Sequence, residues 1–342
     1  MKIYRKVDIM DEIITLSYGS GGIKTSRLIE DYMLPAFNSD VLNELSDGAI
    51  LDVKGDIAFS TDSFVIDPYF FNGGDIGKLS VCGTVNDILM CGAVPKFLSL
   101  SFILEEGLKL EDLKTIINSI AETAKKANVK IVTGDTKVVD RGHGHGIYIN
   151  TSGIGIKRPG VTLGKNRIKE GDKVIVTGSI GNHGVSILCS RENLLISDIK
   201  SDCAPLNSVV DCILKYKENI KILRDPTRGG VATTLNEFVE GEDFGIELEE
   251  SSLPIDKNVQ TACDLLGLDP LYSANEGKVL AIVDKSIAEK LITDLNNFKE
   301  SEYSAIIGEV TSVTKGKVLI KSIYGGKRVL DKLSNDLLPR IC

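Results

Sequence analysis

No run of apolar residues in this chain of 342 approaches the ~20 needed to cross a membrane as a helix. The first twelve residues alternate charge with single apolar side chains and lack the apolar stretch of a signal peptide, so the expected compartment is the cytoplasm. Positive charge is short too. The net charge is -8, whereas nucleic acid needs a basic surface, which argues against it as a partner. Nucleotides stay open, because loops and metals grip them locally. The seven cysteines include no Cys-x-x-Cys pair. Cys82, Cys91, Cys189, Cys212 and Cys263 lie in apolar, helix-like surroundings and read as small buried hydrophobes of a reducing compartment. Tryptophan is absent and aromatics are few, but the apolar content is that of a soluble globular chain, long enough for two domains.

Apolar periodicity divides the chain near residue 160. A Gly-rich segment, Gly19-Ser20-Gly21-Gly22, precedes a helical stretch to Phe37. Residues 49–53 and 56–66 read as two strands around Lys54-Gly55, with hairpin chemistry. Helices follow at 74–90 and 110–127, and strands at 97–104, 129–133 and 147–156. After Lys157-Arg158-Pro159-Gly160 the alternation restarts. Strands are expected at 173–177, 245–248, 278–283 and 304–310, and helices at 207–217, 227–239, 256–266 and 286–295. The fold class is α/β (α+β), in two domains of similar size. The expected boundaries are a mobile segment 1–45 with the glycine loop, domains at 46–160 and 161–325, and a tail at 326–342.

Carboxylates gather where strands meet helices, which is where ligands collect in such proteins. Asp47 and Asp225 open turn-like runs, Asp47-Gly48 and Asp225-Pro226-Thr227-Arg228-Gly229-Gly230, and also read as a turn residue and a helix cap. Asp135 lies in Gly134-Asp135-Thr136-Lys137. Asp62 and Asp87 are harder to place, because their neighbours are apolar, and a buried carboxylate needs a partner or a cation. Oxygen ligands of this kind suit Mg²⁺, which takes one or two carboxylates and shares its shell with phosphates and water. The glycine loop can offer backbone N–H groups to a phosphate, although it matches neither the P-loop nor the dinucleotide fingerprint. His143 and His145 alternate with glycines but have no further ligands nearby, so a solvated loop is expected; His183 reads as a turn residue. The chain ends Leu338-Pro339-Arg340-Ile341-Cys342, a thiol with no chain beyond it.

Taken together, Gly19-Ser20-Gly21-Gly22, Ser60-Thr61-Asp62-Ser63-Phe64-Val65, Gly77-Lys78-Leu79 through Asn86-Asp87, Gly134-Asp135-Thr136-Lys137-Val138-Val139, the Asp225 run and Asn275-Glu276-Gly277 occur in this order. That series resembles the ATP-binding superfamily of aminoimidazole ribonucleotide synthetase and selenophosphate synthetase. The terminal Pro339-Arg340-Ile341-Cys342 narrows the resemblance to the HypE family of hydrogenase maturation factors, the carbamoyl dehydratases. A selenophosphate synthetase would want a Cys or selenocysteine in the glycine loop, where this chain has Ser20 and no Cys before Cys82. A scaffold that only hands on a modified thiol, with ATP as a switch, is the non-enzymatic alternative.

The resemblance implies a two-domain aminoimidazole ribonucleotide synthetase-like fold and a homodimer, with N-terminal strands of both copies closing a β-barrel at the interface. It implies that a carbamoyltransferase, HypF, loads Cys342, that ATP drives dehydration to a thiocyanate, and that a HypC–HypD scaffold receives the cyanide. By motif, ATP would be bound by Gly19, Ser20, Gly21, Gly22, Asp62, Lys78, Asn86, Asp87, Gly134, Asp135 and Thr136. Mg²⁺ would be held by Asp47, Asp62, Asp87 and Asp225. The proton acceptor is Glu276 or Lys137, and Lys137 has the alternatives of an ion pair with Asp135 or a phosphate contact.

Overall fold

The computed structural model describes residues 12–192, 194 and 199–333. The N-terminal half contains α1 (Ile23–Leu28), α2 (Leu34–Phe37), β1 (Ile57–Phe64), β2 (Phe70–Phe71), β3 (Gly74–Asp75), α3 (Ile76–Met90), β4 (Ala93–Glu105), α4 (Leu110–Lys126), β5 (Lys130–Val139) and β6 (Ile147–Lys157). Its sheet runs β1-β6-β4-β5, antiparallel except for the β4–β5 pair. The C-terminal half contains β7 (Lys173–Thr177), α5 (Asn182–Arg191), α6 (Asn207–Ile213), β8 (Ile220–Arg224), α7 (Gly230–Val239), β9 (Gly245–Glu249), α8 (Lys257–Leu266), β10 (Leu280–Val283), α9 (Ala288–Leu295), β11 (Ser304–Thr311), β12 (Val318–Lys321) and β13 (Lys327–Val329). These strands form one sheet, β13-β12-β9-β11-β7-β10-β8. The architecture is the mixed α/β, two-domain one expected. Among the described residues, no helix is long and apolar enough to cross a membrane.

The helices follow from their residue patterns. In α4 the buried positions Leu113, Ile116, Ile117, Ile120 and Ala124 fall three or four apart on one stripe, and Glu111, Asp112, Lys125 and Lys126 complement the helix dipole at its two ends. In contrast, α3 is buried almost all round, because it lies between β6, α4 and the second domain. Its start is fixed by Asp75, whose carboxylate accepts from the N–H groups of Gly77 and Lys78. On β6, alternate residues Ile147, Ile149, Thr151, Gly153 and Gly155 turn into this core. One apolar cluster crosses the seam between the halves. It joins Leu79, Cys82, Val85 and Leu89 of α3 to Val209, Val210 and Ile213 of α6. Each such side chain contributes ~1.5–3 kcal/mol by leaving water. A second cluster fills the space between the larger sheet and α7.

Some expectations are corrected. Residues 49–53 form no strand: Ile50 is 95 % exposed, and nothing in the described chain pairs with them. Strand β5 does not stop at Gly134 but carries the whole Gly-Asp-Thr-Lys-Val-Val motif, since it pairs with β4 as far as Val139. Helix α5 and strand β8 had no clear periodic signal. His183 is buried in α5 rather than in a turn, with Nδ1 2.9 Å from Ser201 Oγ. Cys91 is exposed, whereas Cys82, Cys189, Cys212 and Cys263 are buried. The sheet also continues past 326: β13 pairs with β12, and Leu330 is buried. Cys342 and residues 334–341 lie outside the described residues.

Candidate active site

The glycine loop folds against β5. Gly19 must lack a side chain, because a Cβ there would lie 2.6 Å from the Val138 nitrogen. Thr25 of α1 secures the loop by donating to the Tyr18 carbonyl at 2.8 Å and accepting the Gly21 N–H at 3.1 Å. Ser20 Oγ donates to the Ser17 carbonyl, and Gly22 opens α1. Between this loop and β5 lies a cavity of about 290 Å³. Gly134, Asp135, Thr136 and Lys137 line one wall of it, and Met33, Phe37, Leu42 and Phe102 form an apolar end. Asp47 is exposed on the neighbouring segment, whose Ser46 and Gly48 reach the cavity. Lys137 Nζ pairs with Asp135 Oδ1 at 2.8 Å, and this bond holds the Asp135 carboxyl below its ordinary range.

A second group of residues spans the seam. Asp62 of β1 accepts the Ser63 N–H at 2.8 Å, and Asp87 of α3 accepts from Ser60 Oγ at 2.6 Å. Asp225 follows β8 and is 9 % exposed. It is no helix cap, since Gly229 occupies that position before α7. Burial raises the pKa of all three carboxyls, and that of Asp225 reaches about 7, with the charge of Asp87 adding to the rise. Glu276 is buried and lies well above the usual carboxylate range, through burial first and then Cys203, Asp225, Asp202 and Asp62. Four acidic groups from both domains therefore share one electrostatic field, against which Arg224 and Arg228 are the counter-charges.

Other candidates go elsewhere. Asn86 is buried and its amide is fully engaged across the seam, donating to the carbonyls of Ala204 and Glu276 and accepting the Leu206 N–H. This geometry makes it a staple between the domains. Lys78 donates to the Gly73 carbonyl at 2.9 Å. His143 and His145 are exposed in a loop whose Gly142 and Gly146 N–H groups bond to Glu105. No cluster of three or more His, Cys, Asp or Glu among the described residues is close enough to enclose a metal ion. The sequence reading missed Ser60, Arg224 and Asp202; a hydroxyl on the same side of β1 as Asp62 was the one available signal for Ser60.

Residues 45–157 match the N-terminal domain of the AIR synthase related protein family, and residues 169–321 match its C-terminal domain. Carbamoyl dehydratase HypE of Azotobacter vinelandii is 43 % identical over 339 residues, covering 98 % of this chain and 99 % of the relative. A crystal structure of hydrogenase maturation protein HypE in complex with ATP superposes with a TM-score of 0.91 at 44 % identity, covering 96 % of this chain and 99 % of that one. A HypE–HypF complex contains a chain that superposes at 0.79 and 46 % identity, covering 90 % and 99 %. Two domains with these matches, and relatives aligned over nearly their whole length, place the chain in the AIR synthase related family and, within it, among the HypE proteins.

Proposed function

We propose that this chain is a carbamoyl dehydratase of hydrogenase maturation that uses ATP to convert a carbamoyl group on Cys342 into a thiocyanate, the source of cyanide ligands for the iron of [NiFe]-hydrogenase. The observation that carries it is the convergence of Asp62, Asp87, Asp225 and Glu276 at the seam between the domains, all with raised pKa values. The relatives' names and the ATP-bound structure support the same reading.

ATP is a substrate of this reaction, because oxide is a poor leaving group. The thiocarbamate oxygen attacks the γ-phosphorus and ADP departs, leaving an O-phosphorylated imidate after loss of one N–H proton. Breaking the C–O bond then releases phosphate, and loss of the second N–H proton leaves S–C≡N. The balance is thiocarbamate plus ATP giving thiocyanate, ADP, phosphate and one proton. Glu276 is our assignment for the proton acceptor, because its buried carboxylate has a raised affinity for protons. Lys137 is assigned to the phosphate end, with Asp135 orienting it. The Gly19 to Gly22 loop, whose Gly19 and Gly21 N–H groups are engaged by the Leu16 carbonyl and Thr25, would border the phosphates, and the 290 Å³ cavity beside it would receive the base.

Magnesium fits the carboxylates. Three acids repelling one another in a poorly solvated seam are what a divalent cation relieves, and an ion arriving with ATP needs only one or two of them. One or two of Asp62, Asp87 and Asp225 would hold it together with phosphate oxygens, and Asp47, on its exposed segment, is the further candidate. When bound, it would neutralise charge on the triphosphate.

HypF is the proposed donor of the carbamoyl group, supported by the similar HypE–HypF complex, and a HypC–HypD scaffold the acceptor of cyanide. Residues 334–342, nine in number, reach at most ~30 Å when extended. The test is a single turnover of carbamoylated protein followed by intact mass. One equivalent of ATP is split and the protein loses the mass of one water. Cys342→Ala binds ATP but yields no thiocyanate; protein-bound thiocyanate in that variant would overturn the carrier role.

A further inference from the structure

Glu276 is held by its backbone, from both domains. Asp202 Oδ1 accepts the Glu276 N–H at 3.0 Å. From the other domain, Asn86 Nδ2 donates to the Glu276 carbonyl at 3.3 Å. The Asp202 loop presses close: a Cβ on Gly277 would lie 1.9 Å from the Asp202 carbonyl oxygen, so only glycine permits the approach. The Asp202 side chain is 5 % exposed. Its second oxygen faces Lys278 Nζ at 4.0 Å and accepts no hydrogen bond among the described residues. A buried carboxylate committed to a single backbone N–H and a distant ammonium is a poor source of stability, so stability does not account for it.

We infer that Asp202 is a positioning residue for Glu276: by fixing the peptide between Asn275 and Glu276, it sets the direction from which the Glu276 carboxylate enters the seam. The inference rests on the reading of Glu276 as proton acceptor. A shift of a reacting group by about 1 Å can cost on the order of 100-fold in rate.

Single turnover of the full-length carbamoylated protein tests this, with ATP affinity measured alongside. Asp202→Ala turns over at least tenfold more slowly with ATP affinity within twofold of the parent. Asp202→Asn keeps an acceptor oxygen for the N–H and recovers most of the rate. A folded Asp202→Ala at the parental rate overturns the inference, as does an Asp202→Asn as slow as the alanine variant. Should the alanine variant not fold, Asp202→Glu moves the acceptor by one methylene; slow turnover with retained ATP affinity is expected, and the parental rate again overturns the inference. Glu276→Gln separates the two ideas. If it is slow while Asp202→Ala is fast, positioning alone fails. If it turns over at the parental rate, the assignment of the acceptor fails.

Discussion

Asp87 takes a hydrogen bond from Ser60 and faces Arg224 and Arg228, yet burial outweighs them and disfavours its charge. A bound cation would relieve that penalty. Asp87→Asn is expected to weaken Mg-ATP binding at least tenfold by calorimetry, while binding of ATP in chelator changes little; unchanged Mg-ATP affinity removes Asp87 from the proposed ligands. His183 gives a pH prediction. Burial lowers its pKa to about 4, below the ~6.5 of the unfolded chain. Above pH 6.5 it is neutral in both states. As pH falls from 6.5 toward 4 the unfolded chain takes up a proton that the folded one refuses, so stability drops. The share from this residue is about 2 kcal/mol at pH 5. In His183→Gln the loss of urea stability between pH 7 and pH 5 is smaller by about that amount, and equal losses in parent and variant would contradict the buried neutral imidazole.

Helix α3 is the element that unites the site. It carries Lys78, Asn86 and Asp87, touches both domains, and owes its start to the Asp75 cap. Asp75→Ala frees the N–H groups of Gly77 and Lys78 and is expected to lower stability by ~1 kcal/mol in urea unfolding. No change would mean that other groups satisfy that end. Strand β5 is the element read too short. Periodicity marked its buried first half, at Ile131 and Val132, but from Thr133 onward its residues are half-buried or exposed where they border the cavity, and neighbouring β4 rather than its own pattern keeps it extended. The segment 49–53 was misread for the opposite reason: its pattern suits a strand, but the described chain offers it no partner.

At the scale of the molecule, the small sheet has one covered and one open face. The outward side of β1 includes Ile57 at 56 % and Phe59 at 66 % exposure, and Ile103 of β4 adds to the patch. Among the described residues β1 is also an edge with one neighbour, which invites pairing with another copy. The homodimer implied by the resemblance would use this face. The parent should run at twice the 37.0 kDa of the chain in light scattering, and Phe59→Glu at the single mass. A parent at the single mass ends that proposal. The motifs were legible in the sequence because glycines, prolines and acids in apolar runs have few physical excuses: Gly19, Asp62, Asp87, Asp225 and Glu276 could all be named from one dimension. Two domains followed from apolar period, because a sheet or helix must bury one face. What needed three dimensions was assembly. Asn86 became a staple, Asp202 came to hold Glu276, and Arg224 and Arg228 came to face Asp87 only when α3, β8 and the strand entry at Glu276 met across a shared core. Sequence specifies which groups want partners; the packing of distant segments decides which partners they get.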